Sequence, residues 1–592
     1  MSPVERNVDP MVEGAASTPV RRKYFDSLRR MLGTTGLVSM REEQFFLVLA
    51  IIIGVFAGLC VVLFRIAIET ARIYLLGSSL RPGFPRVVLV PTLAGLVLAF
   101  LVIRFFPRVR GSGVNQTKAA LYIYDGYIAP DTIIGKFLLC ALAIGSGQSL
   151  GPEDPSLQIG AGLASSLGRW LKLSRERLRL IAPVGAAAGL AAAFNSPITA
   201  VLFVIEEVIG RWSAGILGAV VLSAISSVVV ERWFLGDQAL FRVPTYHLAH
   251  VGELLAYAAL GVVGGVASLV FVKALHWVRP RLRALPSWTQ YFQPALAGLI
   301  IGIIAIRFPQ VMGAGYEFMD QAMHSRYTWQ LLAGLAGLKI LATCLSFASG
   351  TPGGLFAPAL FIGAMLGGSV GLATQQLFPQ LQVPVGAYAL VGMGTLFAGL
   401  LRVPMTSVFM ILEISGNYSI ILPVIVSNTI AYFISRTLQP TPIFDDLSRQ
   451  DGLDLPSLEE ERELAVLKVE DAMHAPLVRP LLAEESLGTA RALAHSSEAE
   501  FFLVSLSGGA WSGVSRDTVL RNGFSDDVPL GSVFAPRLPY LYPDQSLDTA
   551  LRAIQDWPIL PVVHRANLRQ LVGTITLPDI LRTYRQTNLT GE

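Results

Sequence analysis

The chain has 592 residues, of which 53% are hydrophobic and 15% are charged, and its formal net charge is +4 at pH 7. Soluble globular chains carry about 25% charged residues, so this composition excludes an ordinary soluble protein and predicts that most of the chain lies in lipid. The small positive charge does not indicate nucleic-acid binding. The three cysteines lie in apolar stretches and the seven histidines form no HExxH motif, so we predict neither a disulfide framework nor a metal site.

The first 43 residues are polar and contain no apolar run that resembles a signal peptide. Basic residues precede the first apolar segment, at Arg21, Arg22, Lys23, Arg29 and Arg30. Because positively charged flanks stay on the cytosolic side of a membrane, we expect residues 1–43 to be a cytosolic N-terminal segment.

Several segments free of charged residues follow, each near the roughly 20 residues that cross the hydrocarbon core as a helix. They are residues 44–64, 181–205, 213–230, 254–272 and 418–435. A longer uncharged segment, 340–401, is interrupted by Gly and Pro, so it must hold several partial helices. Irregular backbone at membrane depth occurs only where it is buried in protein or lines a cavity. We therefore predict an all-α polytopic membrane domain with broken helices over residues 44–440.

The membrane domain contains an internal repeat with an offset of 202 to 207 residues. The matched segments are 111–113 with 313–315, 151–155 with 354–358, and 197–206 with 404–413. We predict two homologous halves, about 44–235 and 250–440, in inverted orientation with the substrate site at their interface. Glu206 has a counterpart in Glu413, which suggests a structural role for that pair, whereas Glu207 faces Ile414 and breaks the symmetry.

After residue 440 the sequence becomes a polar linker, 441–467, followed by a soluble α/β domain, 468–592. The segments 469–473 (VEDAM) and 573–581 (GTITLPDIL) resemble the opening and closing parts of tandem CBS (cystathionine-β-synthase-type) modules. By this resemblance, Thr576 and Asp579 would hold the phosphate and ribose of an adenine nucleotide. Many such pairs bind nothing and only stabilise a dimer, so no cofactor is required.

Three glycine- or proline-rich breaks, at 111–113, 151–155 and 353–358, each precede an apolar segment. Helix N-termini carry unpaired N–H groups and a partial positive charge, so they can replace the hydration of an anion without a full opposite charge. These breaks therefore predict an anion pathway.

The same breaks resemble the signatures of the CLC chloride channels and proton/chloride antiporters. GSGVN from Gly111 resembles the family's GSGIP, GPEDP from Gly151 resembles G(K/R)EGP, and GGLFAP from Gly353 contains GxFxP. Further matches are AFNSP at 193–197, GAGYE at 313–317 and LEISGNY at 412–418. The resemblance covers nearly the whole membrane domain and implies a homodimeric chloride transporter in a plasma (inner) membrane, with both termini cytosolic.

The resemblance assigns roles to individual residues. Glu153 would be the gate, a carboxylate that competes with chloride until it is protonated, and Glu207 would take protons on the cytosolic side, as in antiporters. Ser112 favours chloride as the anion. The anion-binding set comprises Ser112, Gly113, Glu153, Leu355, Phe356, Ala357 and Phe444.

Four residues depart from the family pattern. Phe444 replaces a tyrosine that donates its hydroxyl to the anion, so that contact would be lost. Pro152 and Asp154 replace a basic residue and a glycine beside Glu153, and Asn115 replaces a proline.

Three alternatives remain open to sequence reasoning. A passive voltage- or pH-gated chloride channel is the nearest, favoured by Phe444 but opposed by Glu207. A serine enzyme is suggested by the GxSxG string at 147–151 (GQSLG), although Ser149 follows an apolar helical stretch rather than a strand. A nucleotide sensor with a membrane anchor would need only one anchoring helix.

Overall fold

The computed structural model describes residues 42–589 except 211–213, 237–240, 242–251, 325, 380–383, 454, 456–466, 498, 507–508, 522, 524, 534–536, 555–556 and 566. The chain divides into two compact units between residues 455 and 456. The basic cluster of the predicted N-terminal segment and residues 456–466 of the predicted linker lie outside the described residues.

The first unit is helical. Its α-helices are α1 (Glu42–Leu76), α2 (Arg86–Arg104), α3 (Gly113–Tyr122), α4 (Pro130–Gly145), α5 (Glu153–Trp170), α6 (Arg175–Phe194), α7 (Pro197–Phe203), α8 (Ala214–Leu235), α9 (Glu253–Ala284), α10 (Gln293–Arg307), α11 (Tyr316–Met323), α12 (Trp329–Ala348), α13 (Phe356–Leu377), α14 (Val385–Leu401), α15 (Pro404–Ser415), α16 (Ile421–Leu438) and α17 (Ile443–Gln450). Short 3₁₀ turns lie at Pro107–Val109, Ser287–Tyr291, Pro309–Val311 and Tyr418–Ile420, and Val204–Ile209 is a π-helical turn.

Within the described part of the chain, eight helical segments are long and apolar enough to cross a membrane. The uncharged segment 340–401 is divided into the end of α12, all of α13 and all of α14, as its Gly and Pro residues predict. The window 181–205, which has the length of one span, is broken instead. Asn195 adopts a left-handed conformation with φ 53° and ends α6, and Pro197 starts α7.

The two halves pack through reciprocal contacts. A Cβ atom on Gly95 of α2 would lie 2.4 Å from the Pro294 carbonyl oxygen of α10, and one on Gly298 would lie 2.2 Å from the Pro91 carbonyl oxygen. Gly298 and Pro294 follow Gly95 and Pro91 by 203 residues each. Each half therefore makes the same contact with the other half, as a pseudo-twofold repeat requires.

Glycine also allows close helix packing within each half. Gly160 of α5 and Gly185 of α6 face each other so closely that a Cβ on either would lie 2.2 Å from the other's carbonyl oxygen. Gly363 of α13 and Gly392 of α14 repeat this contact at 2.3 and 2.2 Å. Small residues that bring backbones together stabilise helix pairs in membranes by van der Waals packing.

Helix α17 lies within the predicted linker 441–467. Its residues Ile443, Phe444 and Leu447 are buried in the core of the first unit, because the helix is strongly amphipathic and turns its apolar side inward. The part of the predicted linker up to residue 450 is therefore an element of the membrane unit.

The second unit contains two small α/β modules. Its elements are α18 (Val469–Ala472), β1 (Leu481–Leu482), α19 (Leu487–Ser496), β2 (Phe501–Ser505), β3 (Trp511–Ser515), α20 (Arg516–Leu520), α21 (Leu530–Val533), α22 (Leu547–Ala553), β4 (Leu560–His564), β5 (Asn567–Ile575) and α23 (Leu577–Leu589). The first sheet has the order β1-β2-β3, with β1 parallel and β3 antiparallel to β2, and β4 pairs antiparallel with β5. Each module has its own buried apolar cluster.

Candidate anion site

The two halves meet where the breaks before α5 and α13 run side by side. Gly151 and Gly354 form an antiparallel bridge, in which each N–H donates to the other's carbonyl at 2.8 Å. The bridge pairs the backbone N–H and C=O groups of these two glycines and places the N-termini of α5 and α13 next to each other. Antiparallel chains at the junction are what inverted repeats predict.

Two buried lysines hold the loops that lead to α3 and α11. Lys136 Nζ donates to the carbonyl oxygens of Val109 and Gly111, at 3.1 and 3.0 Å. Lys339 Nζ makes the equivalent bonds to Val311 and Gly313 in the second half, at 3.0 and 2.6 Å. Both lysine side chains thus bind the carbonyl oxygens of the glycine breaks and fix the backbone that leads to α3 and α11.

Glu153 is fully buried at the start of α5. Its Oε2 accepts a hydrogen bond from the Ala357 N–H at 3.2 Å, and its Oε1 accepts one from the Tyr316 hydroxyl. The carboxylate therefore lies on the N-terminus of α13, where a negative group is stabilised by free N–H groups and the helix dipole. Glu153 is the residue to which the family resemblance assigns the gate, and that role stays a prediction.

Ser112 and Gly113 lie at the N-terminus of α3, where Ser112 Oγ caps the helix by accepting the Val114 N–H at 3.1 Å. A second carboxylate occupies these donors. Asp154 accepts hydrogen bonds from Gly113 N–H at 3.1 Å, Val114 N–H at 2.8 Å and Ser112 Oγ at 3.2 Å. Asp154, which sequence reasoning noted only as a departure, is thus a direct neighbour of two predicted anion-binding residues.

An aromatic cluster closes the other side of the α13 N-terminus. The Phe356 ring packs against Phe194, Phe203, Phe397 and Phe444, with centroid distances of 5.1 to 6.3 Å. Leu355, the N-cap residue of α13, is also buried. Phe444 reaches the site through its ring, so it presents an apolar surface where a tyrosine would present a hydroxyl.

Asn115 joins α3 to α17, since its Nδ2 donates to the Phe444 carbonyl oxygen at 2.8 Å. A proline at position 115 has no side-chain donor for this bond. The asparagine at this position therefore has a structural effect that a proline would lack: its side chain holds the main chain of Phe444 against α3.

Glu207 lies in the π-helical turn Val204–Ile209 and is largely buried. The buried Lys118 of α3 is 2.7 Å from Glu207 Oε1 and 3.5 Å from Asp445 Oδ1 of α17. A single lysine thus contacts two carboxylates from different elements. Because α15 continues as a regular helix through Ile414, the π turn at Glu207 belongs to the first half alone.

Glu206 and Glu413 cap each other's helices. Glu413 accepts the N–H groups of Ile198 at 2.9 Å and Thr199 at 2.7 Å at the start of α7. Glu206 accepts those of Met405 at 3.2 Å and Thr406 at 2.8 Å at the start of α15. This reciprocal capping agrees with the structural role that the repeat predicts for the pair.

A cavity of about 610 Å³ opens beside the Glu153 site. Its lining includes Pro152 and Tyr316, together with four charged residues of α1 and α11, namely Arg65, Glu69, Arg72 and Glu317. Tyr316 thus contributes both to the cavity lining and, through its hydroxyl, to the hydrogen bonding of Glu153.

The GxSxG string does not form a nucleophile elbow. Ser149 is fully buried, follows helix α4 rather than a strand, and has its Oγ 3.0 Å from Thr343 Oγ1. Among the described residues, no group of three or more His, Cys, Asp or Glu side chains is placed to hold a metal ion.

In the second unit, Thr576 and Asp579 bind each other at the start of α23. The Asp579 carboxylate accepts the Thr576 N–H at 3.0 Å and the Thr576 hydroxyl, and its Oδ2 is 3.5 Å from His474 Nε2. The two predicted nucleotide-binding residues are therefore adjacent and act as a helix cap.

Sequence reasoning missed three contacts of the site. Asp154 accepts hydrogen bonds from the N-terminus of α3, Tyr316 donates to Glu153, and Lys118 pairs with Glu207. One signal could have found Lys118, because an ionisable residue in an otherwise apolar membrane segment is a functional candidate by default. The GAGYE match included Tyr316 but gave no contact for it.

A helical membrane unit of two related halves, with helix N-termini and buried carboxylates at their junction, defines a membrane ion-transport protein. Residues 94–436 match the family described as voltage gated chloride channel. The chain belongs to this family, the CLC proteins.

Relatives of known name agree with this assignment. The chain is 32% identical over 415 residues to the H(+)/Cl(-) exchange transporter ClcA of Vibrio campbellii, covering 68% of this chain and 88% of the relative. It is 31% identical over 429 residues to a ClcB-like chloride channel protein of Ralstonia nicotianae, covering 69% and 99%.

Solved structures share the fold. A slow cyanobacterial Cl-/H+ antiporter matches with a TM-score of 0.64 and 26% identity, covering 72% of this chain and all of that one. A eukaryotic CLC transporter matches in fold with a TM-score of 0.60 and 21% identity, covering 90% of this chain and 97% of that one.

Proposed function

We propose that this chain exchanges chloride for protons across a membrane, with Glu153 as the gate. The observation that carries the proposal is the contact between the Glu153 carboxylate and the Ala357 N–H at the start of α13. Relatives that are 31 to 32% identical over more than 400 residues are named H(+)/Cl(-) exchange transporters.

The chemistry follows from competition at a helix N-terminus. A half charge about 4 Å from an anion contributes roughly 2 kcal/mol at an effective dielectric constant near 20. Chloride and an ionised Glu153 would compete for this stabilisation, and protonation of Glu153 would remove its charge and release the terminus to chloride. Protonation of Glu153 and chloride binding at this helix terminus would therefore favour each other.

Glu207 supports a second proton station. Lys118 contacts both Glu207 and Asp445, so when a proton neutralises Glu207 the buried lysine keeps a carboxylate partner. The carboxylates of Glu153 and Glu207 would then exchange protons with opposite sides of the membrane.

The test is a flux assay in proteoliposomes with simultaneous chloride and pH readout. A chloride gradient should drive protons against their own gradient, and Glu207→Ala should abolish the proton movement while chloride flux continues. A parent protein that conducts chloride without moving any proton contradicts exchange.

A passive chloride channel is the second candidate. Phe444 favours it, because the buried ring offers the anion no hydroxyl at this position. The flux assay separates the two, since a channel dissipates the chloride gradient with no linked pH change.

We further propose the assembly and the surroundings that the family resemblance implies: a homodimer in the plasma (inner) membrane with cytosolic termini and no enzymatic activity. Residues 468–592 would be a CBS pair, with Thr576 and Asp579 holding the phosphate and ribose of an adenine nucleotide. Calorimetric titration of the purified protein with ATP tests this; Asp579→Asn should weaken any binding, and no heat of binding would contradict the nucleotide role.

A further inference from the structure

We propose that Asp154 is a second tethered anion, which occupies the N-terminus of α3 in place of chloride and thereby lowers the affinity of the pathway for chloride. This inference rests on the proposed function and extends it. The chain would hold a carboxylate of its own on each of two helix ends, Glu153 on α13 and Asp154 on α3.

The contacts of Asp154 are those of a bound anion. Its side chain is 1% exposed, and both oxygens are engaged by α3: Oδ2 by Gly113 N–H, Oδ1 by Val114 N–H and Ser112 Oγ. Hydrogen bonds from N–H groups to an ionised carboxylate are among the stronger ones in proteins. A chloride ion that approached Ser112 would find its hydroxyl and two neighbouring amides already in use.

The architecture does not need a carboxylate at this position for capping. Ser112 already caps α3 through the Val114 N–H. The residue equivalent to Asp154 in the second half is Ala357, 203 positions later, which has no side-chain acceptor and contributes its backbone N–H to Glu153 instead. The Asp154 carboxylate therefore occurs in the first half and not at the equivalent position of the second, as is also the case for Glu207.

The charge around Asp154 is arranged to attract an anion when the carboxylate is absent. Lys136 is the cation that acts on Asp154, and its Nζ is fixed by the Val109 and Gly111 carbonyls rather than by Asp154. Neutralising Asp154 leaves this positive charge and the α3 amides in place, so the region becomes a better chloride site.

The experiment measures chloride binding to the full-length purified protein by calorimetric titration, for the parent, Asp154→Ala and Asp154→Asn. Freeing donors of charge-assisted hydrogen bonds should lower the chloride Kd by about 10- to 100-fold in Asp154→Ala. Asp154→Asn, which keeps the volume and one acceptor oxygen, should lower it by a smaller factor. Glu253→Gln, which neutralises a buried carboxylate at the start of α9, is the control and should leave Kd unchanged.

A second measurement locates the ion. Crystals of Asp154→Ala soaked in bromide should show anomalous density within hydrogen-bonding distance of the Gly113 and Val114 amides. If Asp154→Ala does not fold, Asp154→Asn carries both measurements.

The outcomes separate this inference from the proposed function. A parent that exchanges chloride for protons, with Asp154 variants of unchanged chloride Kd and reduced thermal stability only, would make Asp154 a structural cap and overturn the inference. A parent with neither chloride binding nor flux refutes the proposed function first and removes the basis of the inference with it.

Discussion

Tyr316 donates the hydrogen bond of its phenolic hydroxyl to the carboxylate of Glu153, from a helix that starts 163 residues later in the chain. The other carboxylate oxygen is held by the Ala357 N–H. Glu153 is thus fixed from both sides, by the first residue of α11 and by the first turn of α13. Tyr316 also lines the cavity beside the site, so it contacts both Glu153 and that cavity.

Tyr316→Phe removes the hydroxyl and keeps the ring. A hydrogen bond to a charged group contributes about 1.5–3 kcal/mol, so Glu153 should leave the α13 terminus more readily and chloride efflux from proteoliposomes should rise by roughly 10-fold or more. Tyr327→Phe, which removes a hydroxyl bonded to Gln321 at 2.5 Å, is the matched control. Equal efflux rates for Tyr316→Phe and the parent would show that the phenol does not retain Glu153.

Substitutions of the adjacent residues Glu206 and Glu207 should have different effects, one on stability and the other on proton coupling. Glu206→Gln weakens the cap of α15 and should lower the free energy of unfolding by about 1–2 kcal/mol, as cap losses do, while proton-coupled flux per folded molecule persists. Glu207→Gln should abolish the proton component of the flux. Thermal unfolding in detergent and paired chloride and pH recordings measure the two effects. Loss of coupling in Glu206→Gln would contradict the division of roles, and Glu413→Gln should repeat the Glu206 result because its capping contacts are equivalent.

Lys118 should couple to Glu207 in a double-mutant cycle. Lys118→Met removes the ammonium group that contacts Glu207 and Asp445, and removing one partner of a buried ion pair typically costs about 3–5 kcal/mol in the free energy of unfolding. The double variant Lys118→Met/Glu207→Gln should lose less than the two single variants combined, because it removes both members of the pair. Denaturant unfolding of the four proteins gives the coupling energy; strict additivity would mean that the 2.7 Å contact contributes nothing.

Glycine packing between α5 and α6 can be tested by adding one methyl group. Gly160→Ala places a Cβ 2.2 Å from the Gly185 carbonyl oxygen, so the helices must separate, and we expect a loss of about 1–3 kcal/mol or failure to fold. Gly334→Ala on α12 is the matched control, since no atom lies within 4 Å of its added Cβ. Size-exclusion chromatography and thermal unfolding compare the two, and a Gly160→Ala protein as stable as Gly334→Ala would argue against close packing here.

Much of the membrane architecture was predictable because its determinants are local or repeated. Charge-free segments of suitable length mark helices, Gly and Pro mark the breaks between them, and the repeat with an offset of about 203 residues predicts that the breaks meet as a pair. The bridge between Gly151 and Gly354 realises that pairing. The window 181–205 was misleading for the same reason, since hydropathy records apolar length and does not record the left-handed turn at Asn195.

The sequence by itself therefore determined that the chain enters the membrane, that it has two related halves, and that glutamate 153 stands at a helix start. Only the tertiary structure decided which donors each carboxylate reaches: Glu153 the α13 amide, Asp154 the α3 amides, Glu207 the ammonium of Lys118. The physical reason is that these hydrogen bonds join residues 40 to 204 positions apart. Such contacts are set by how the two halves pack together, and local composition does not encode that packing.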